Sequence, residues 1–159
     1  MKVVLTSGFD VEISLEAFRL YKKKSGLDLF AYFAYDSWDD DYVRTTDFRR
    51  IDDDVVPDYE PMYVICDKDL GKVATQEDVY KHRVDGLFDD RTDPILISVL
   101  EELGGKALGY TGLSIAEIPD DIEWHIEVDL DTHAEWVEEG PQRDRRERWY
   151  GEPIKRIWD

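Results

Sequence analysis

The best-marked helix of this sequence is Asp93-Pro94-Ile95-Leu96-Ile97-Ser98-Val99-Leu100-Glu101-Glu102-Leu103-Gly104. Aspartate is a residue that caps helix N-termini, and proline fits the first helical position. Four side chains follow the i, i+3, i+4, i+7 spacing of one buried helix face: Leu96, Val99, Leu100 and Leu103. The glycines that follow end the pattern, so an amphipathic helix is predicted here.

Further elements are predicted on both sides of this helix. A capping serine, a basic last turn and a final glycine bound a helix between Ser14 and Gly26. Thr75 and Asp78 match a capping box for a shorter helix that ends near Val84. Runs of apolar, β-branched and aromatic residues predict strands at Lys2–Thr6, Leu29–Tyr35, Met62–Cys66, Leu113–Ile118 and Ile122–Val128.

The last two predicted strands are separated by Pro119-Asp120-Asp121, so we expect them to form a β-hairpin. For residues 132–139 the sequence does not distinguish a helix from a strand. The whole pattern predicts an α+β fold, with a mainly antiparallel sheet and two or three helices in a single domain. The length of 159 residues is that of one ordinary domain.

Residues 36–60 have a different character. They hold ten acidic and three basic side chains, and no period is visible. We expect an acidic surface loop or insertion, in which Tyr42–Thr46 is the candidate for a short strand. Two interpretations of its charge stay open: solvation of a loop, or imitation of nucleic acid towards a DNA-binding surface.

The charge is placed unevenly along the chain. The total of −18 resolves into +2 for residues 1–26, −22 for residues 27–140 and +2 for residues 141–159. A body this acidic disfavours direct binding of nucleic acid, because phosphate binding depends on clustered positive charge. We therefore divide the chain into a core domain, 1–140, and an Arg/Trp-rich C-terminal segment, 141–159.

The C-terminal segment holds five of the eleven arginines together with Trp149, Tyr150 and Trp158. Arginine binds phosphate oxygens in bidentate fashion, and aromatic rings stack on bases, so this composition suits a nucleotide-like ligand. Docking of the segment on the protein's own acidic surface is an equally good interpretation.

Several classes of protein are disfavoured. One cysteine, Cys66, cannot form an intrachain disulfide, and its apolar neighbours predict a buried, inert thiol. The N-terminus lacks a signal-peptide pattern, and no window approaches the roughly 18 apolar residues of a membrane span. We expect a soluble cytoplasmic protein without membrane contact. The sequence has no nucleophile elbow, phosphate loop or dinucleotide fingerprint, so neither enzymatic activity nor a cofactor is predicted.

His125 and Glu127 alternate on one predicted strand and therefore share a face, as two metal ligands would. A half-exposed strand face explains the same pattern. Without a third ligand in the sequence pattern, no metal site is predicted.

Residues 91–104 resemble a signature of small, largely uncharacterised bacteriophage and prophage proteins, carried by Arg91-x-Asp93-Pro94-x-Leu96-Ile97-x-Val99-Leu100-Glu101-Glu102-Leu103-Gly104. Residues 115–126 are similar to the strand–turn–strand of that family, and residues 2–26 to its initial strand and helix. Family members end in a His-Arg-x-Trp-like segment, whereas this chain has Arg148-Trp149 without the histidine and ten further residues. The chain also resembles, in fewer features, the phage anti-Thoeris sponge proteins.

The sponge resemblance implies a non-catalytic counter-defence protein. It would sequester a nucleotide-derived immune signal of the cyclic ADP-ribose type, as a homo-oligomer in the cytoplasm of the host cell. The implied roles are phosphate binding by arginine, ring stacking by tryptophan and hydroxyl recognition by aspartate, carried by Arg91, Arg145, Arg148, Trp149 or Trp124, and Asp129.

Two other functions are compatible with the sequence. The first is an acidic inhibitor that imitates nucleic acid and occupies the binding site of a basic host defence protein, such as a nuclease or a CRISPR effector. The second is a nucleotide hydrolase whose motif escapes recognition.

Overall fold

The computed structural model describes residues 1–8 and 10–141 of the chain. The helices of this part are α1 (Leu15–Ser25), α2 (Gln76–His82) and α3 (Pro94–Leu103), followed by a 3₁₀ turn at Gly104–Ala107. The strands are β1 (Lys2–Thr6), β2 (Phe30–Trp38), β3 (Arg44–Arg50), β4 (Val64–Cys66), β5 (Val73–Ala74), β6 (Leu113–Glu117), β7 (Trp124–Val128) and β8 (Glu135–Glu139). The predicted single-domain α+β fold with antiparallel pairing is confirmed.

The helix ends are those that the sequence predicts. Ser14 Oγ accepts a hydrogen bond from Ala17 N at 3.1 Å, and Gly26 takes the left-handed conformation that ends α1. Asp93 caps α3 through Oδ1, and its Oδ2 accepts the Tyr21 hydroxyl at 2.9 Å. Burial and this carboxylate raise the pKa of Tyr21 to about 12. The cap of α3 therefore also joins it to α1.

The main sheet has the order β4-β2-β3-β5, and all of its pairs are antiparallel. The two faces of β2 contact different cores, because neighbouring strand residues point to opposite sides. Ala31 belongs to the larger core with α1 and α3, and Tyr32 belongs to the smaller core with α2. The thiol of Cys66 lies in the smaller core, where burial raises its pKa, so the predicted buried cysteine is confirmed.

The predicted hairpin between residues 113–118 and 122–128 is wrong. β6 pairs with β1, and β7 pairs with β8, so the two candidate strands belong to different two-stranded sheets. The turn around Asp120 instead contacts the N-terminus, whose ammonium group lies 2.5 Å from the Asp120 carboxylate. Alternation of polar and apolar residues marks a strand without identifying its partner, and each of these strands had another edge available, β1 for β6 and β8 for β7.

The predicted irregular insertion at 36–60 is also largely wrong. β2 continues to Trp38 and pairs with β3 over seven residues, and β3 runs beyond the short strand predicted at Tyr42–Thr46. The two-residue alternation of a strand is not visible in the sequence because both faces of this hairpin carry charged or polar side chains. The irregular part is confined to residues 51–60 and the turn at 39–43.

The open segment 132–139 contains β8, so its C-terminal part is a strand. Most of the predicted C-terminal segment, residues 142–159, lies outside the described residues. Within the described ranges, no helix has both the length and the apolar content that crossing a bilayer requires.

Candidate functional site

Arg91, predicted to bind phosphate, forms a bidentate ion pair with Glu135. Its two terminal nitrogens lie 2.8 and 3.0 Å from the carboxylate oxygens of Glu135. The exposed fractions of the two side chains are only 18% and 8%. The same carboxylate accepts Thr6 N at 2.9 Å, and the Arg91 carbonyl accepts Val4 N at 2.8 Å. Arg91 therefore joins the loop before α3 to β1 and β8.

Asp129, predicted to recognise a hydroxyl group, organises the turn between β7 and β8. Its Oδ1 accepts hydrogen bonds from Asp131 N at 2.8 Å and Thr132 N at 3.0 Å. These two bonds hold the pKa of the carboxyl below its usual range. Trp124 is half-buried at the start of β7, where its register partner is Glu139.

Replacing Asp129 with alanine is expected to lower the free energy of unfolding, because two turn N–H groups lose their acceptor. Asparagine keeps an acceptor oxygen at the same place, so Asp129→Asn is expected to lose less than about half as much. Urea denaturation of the three proteins measures both values. Equal losses for the two variants would contradict this explanation.

The remaining predicted ligand residues, Arg145, Arg148 and Trp149, lie outside the described residues. Of the six predicted site residues, the described part of the structure therefore holds Arg91, Trp124 and Asp129. Sequestration of a nucleotide-derived signal stays a prediction.

The end of the β2–β3 hairpin is exposed along its whole length. We call residues 34–45 the acidic ribbon, because every one of them is exposed and because four aspartates face one arginine there. Three aromatic rings stand on it: Tyr35 is 44% exposed, Trp38 is 64% exposed and Tyr42 is 86% exposed. Large apolar groups presented in this way are typical of interaction surfaces.

Asp39 builds the turn of the acidic ribbon. Its Oδ1 accepts Asp41 N and Val43 N, both at 2.9 Å, and its backbone N–H donates to the Val43 carbonyl at 3.1 Å. Tyr42 has a φ of 60°, the left-handed conformation that favours glycine or asparagine. An aromatic residue held there in a strained backbone points to a role for its ring.

The base of the ribbon is anchored in the fold. The Arg49 guanidinium lies 4.4 Å from the centre of the Tyr35 ring and is paired with Asp47 at 2.9 Å. Phe48, one residue before Arg49, is buried in the smaller core. The ribbon therefore projects from a fixed support.

A groove of about 600 Å³ lies between segments 10–13, 60–65, 83–89 and 109–110. Its apolar part includes Met62 and Phe88, and five carboxylates face one arginine among the lining residues. The groove thus repeats the character of the acidic ribbon, with apolar surface among negative charges.

The β7–β8 hairpin brings a third side chain, the carboxylate of Glu138, to the pair predicted from the sequence. His125 Nε2 lies 2.8 Å from Glu127 Oε1 and 3.8 Å from Glu138 Oε2, and its Nδ1 lies 2.7 Å from the Gly140 carbonyl. That carbonyl, and then the Glu127 carboxylate, raise the pKa of His125. The sequence could not place Glu138, because residues 132–139 had no assigned structure and strand register depends on the partner.

Comparisons of this chain with protein-family models, curated proteins and solved structures give no match.

Proposed function

We propose that this protein binds the cationic nucleic-acid-binding surface of another protein through the acidic ribbon. It would act there as a non-catalytic inhibitor that takes the place of the phosphate backbone. The observation that carries the proposal is the placement of two exposed rings, Trp38 and Tyr42, inside a run of carboxylates.

The chemistry of the ribbon suits lysine- and arginine-rich surfaces. Asp40 and Asp41 are exposed at its tip, where they can meet the ammonium and guanidinium groups that otherwise contact phosphates. Tryptophan and tyrosine faces attract the same cations and stack on the guanidinium plane. Charge supplies steering and choice of partner, whereas the rings supply apolar contact area.

The charge of the whole body favours such a partner. A net charge of −22 over residues 27–140 attracts cationic surfaces from a distance and repels nucleic acid. The acidic groove offers a second negatively charged surface, which a basic side chain of the partner could enter. This is the acidic-inhibitor function that the sequence left as an alternative.

The proposal is tested by competition for DNA. The full chain is added to a panel of purified nucleases and CRISPR effectors bound to labelled DNA, and release of the DNA is followed by fluorescence anisotropy. We expect release from at least one member. The effect should weaken between 50 and 200 mM salt, because the attraction is screened. A variant with Asp39, Asp40 and Asp41 all changed to asparagine should inhibit about tenfold more weakly.

The matched control changes the same number of charges outside the ribbon, as D28N, D121N and E123Q together. All three carboxylates are exposed, so the control should fold as the parent does. It should also keep most of the inhibition. Failure to displace DNA from any member of the panel, or equal weakening by both variants, would refute the proposal.

A further inference from the structure

His125, Glu127 and Glu138 converge on one face of the β7–β8 hairpin. His125 and Glu127 are two residues apart on β7, and Glu138 is the register partner of His125 on β8. One ligand atom from each of the three lies within 4.8 Å of the other two. We propose that these side chains form a binding site for a divalent transition-metal ion of the zinc type.

The imidazole is oriented as in a metal site. Its Nδ1 lies 2.7 Å from the Gly140 carbonyl, so this nitrogen donates to the backbone when Nε2 is free to bind. Metal-binding histidines are commonly held in this way by a backbone carbonyl, which selects the tautomer and the ring orientation. Nε2 then faces the two carboxylates.

The spacing of the ligand atoms fits a small ion. Atoms bound about 2.0–2.1 Å from a tetrahedral ion lie about 3.3–3.4 Å apart. The distances from Nε2 to the two glutamate oxygens are 2.8 and 3.8 Å, which bracket that value. The two glutamate oxygens lie within 4.8 Å of each other, so side-chain rotations that move them by up to about 1.5 Å would bring all three atoms onto one ion.

One side of the cluster is buried and the other side is open to solvent. The side chains of His125 and Glu127 are 10% and 8% exposed, whereas Glu138 is 46% exposed. An ion could therefore reach the cluster from the Glu138 side, where a water molecule could complete the coordination. Two carboxylates and one neutral imidazole balance the charge of a divalent cation.

The ligand set selects the class of metal. Imidazole nitrogen with carboxylate oxygen is a donor set of zinc and its first-row neighbours, whereas Mg²⁺ and Ca²⁺ prefer oxygen ligands alone. Three protein ligands with a fourth position left to water are the arrangement of open zinc sites.

The experiment titrates Zn²⁺ into the full chain, without any affinity tag and after removal of metals, by calorimetry at pH 8, where the imidazole proton competes less. We expect a 1:1 complex with a Kd in about the micromolar range. The thermal midpoint should rise by about 5 °C or more at a hundredfold excess over Kd.

Glu138→Gln is the diagnostic variant, because the Glu138 side chain is half-exposed and its replacement leaves the packing of the core unchanged. It should weaken Zn²⁺ binding about tenfold or more and leave the thermal midpoint of the metal-free protein unchanged. Glu139→Gln is the matched control: the neighbouring residue points to the other face of β8, so its affinity should equal that of the parent.

Three results would overturn the assignment. One is the absence of a 1:1 complex at about 100 µM Zn²⁺. Another is equal affinity of Glu138→Gln and the parent. The third is Mg²⁺ binding as tight as that of Zn²⁺, which would indicate general attraction of cations to an acidic surface.

Discussion

Replacing Arg91 with alanine is expected to lower the free energy of unfolding by about 3 kcal/mol. The guanidinium and the Glu135 carboxylate form two parallel hydrogen bonds at 2.8 and 3.0 Å in a largely buried place. Without Arg91, the charge of Glu135 remains buried, and Thr6 N is the donor that still contacts it. Leaving such a charge without its counter-ion costs more than the pair itself contributes.

Chemical denaturation in urea measures this loss, and two further variants show its origin. Glu135→Gln keeps an acceptor for Thr6 N and removes the charge, so it should cost less than Arg91→Ala. Arg83→Ala is the matched arginine control, because Arg83 pairs with Asp85 at 2.7 Å on the exposed surface and should contribute less than about 1 kcal/mol. A loss below about 1 kcal/mol for Arg91→Ala would mean that the pair is solvated.

The same variants address the phosphate-binding role predicted for Arg91. A phosphate could bind the Nη1–Nη2 face of the guanidinium only by displacing Glu135, since both of these nitrogens donate to that carboxylate. A large loss of stability in Arg91→Ala would therefore assign Arg91 to the fold. A stable variant that loses affinity for cyclic ADP-ribose in calorimetry would instead support the sponge function.

Replacing Tyr42 with glycine is expected to weaken binding of the partner without lowering the stability of the fold. Glycine takes a φ of 60° without steric cost, so the free energy of unfolding should rise by about 1 kcal/mol or stay constant. The ring is 86% exposed and contributes little to the core. Affinity for the cationic partner should fall by about 2 kcal/mol, or roughly thirtyfold, because aromatic side chains dominate such interfaces.

The partner for this measurement is the panel member whose DNA is displaced by the parent protein. Tyr42→Asn is the matched variant, since asparagine accepts the left-handed backbone and carries no ring, and it should lose affinity to the same degree. Trp38→Ala should weaken binding without relieving any backbone strain. If Tyr42→Gly bound the partner as tightly as the parent, the ring would not be part of the interface.

The elements that could be predicted are those whose signals are local. The N-caps Ser14, Thr75 and Asp93 all accept the expected backbone hydrogen bonds, because a cap and its donor lie within three residues. The acidic ribbon was missed as a regular element, since solvent on both faces removes the apolar alternation that marks a strand.

The candidate sites show the same difference between contacts with a local sequence signal and contacts that depend on the fold. The sequence placed His125 and Glu127 on one face, because two residues of one strand have a fixed relation. Glu138 joined them only through strand register, and Glu135 met Arg91 across 44 residues of chain. The residues next to Glu138 and Glu135 in the sequence do not indicate either contact.

The sequence by itself therefore determined the helices with their caps, the strongly acidic body and the class of fold. The tertiary structure decided which strands pair, and through that pairing it placed Arg91, a predicted phosphate ligand, in an ion pair with Glu135 and brought Glu138 to His125. The physical reason is that caps and helical faces depend on neighbours within one or two turns. Strand partners depend instead on the competition among all edges that the folded chain brings together.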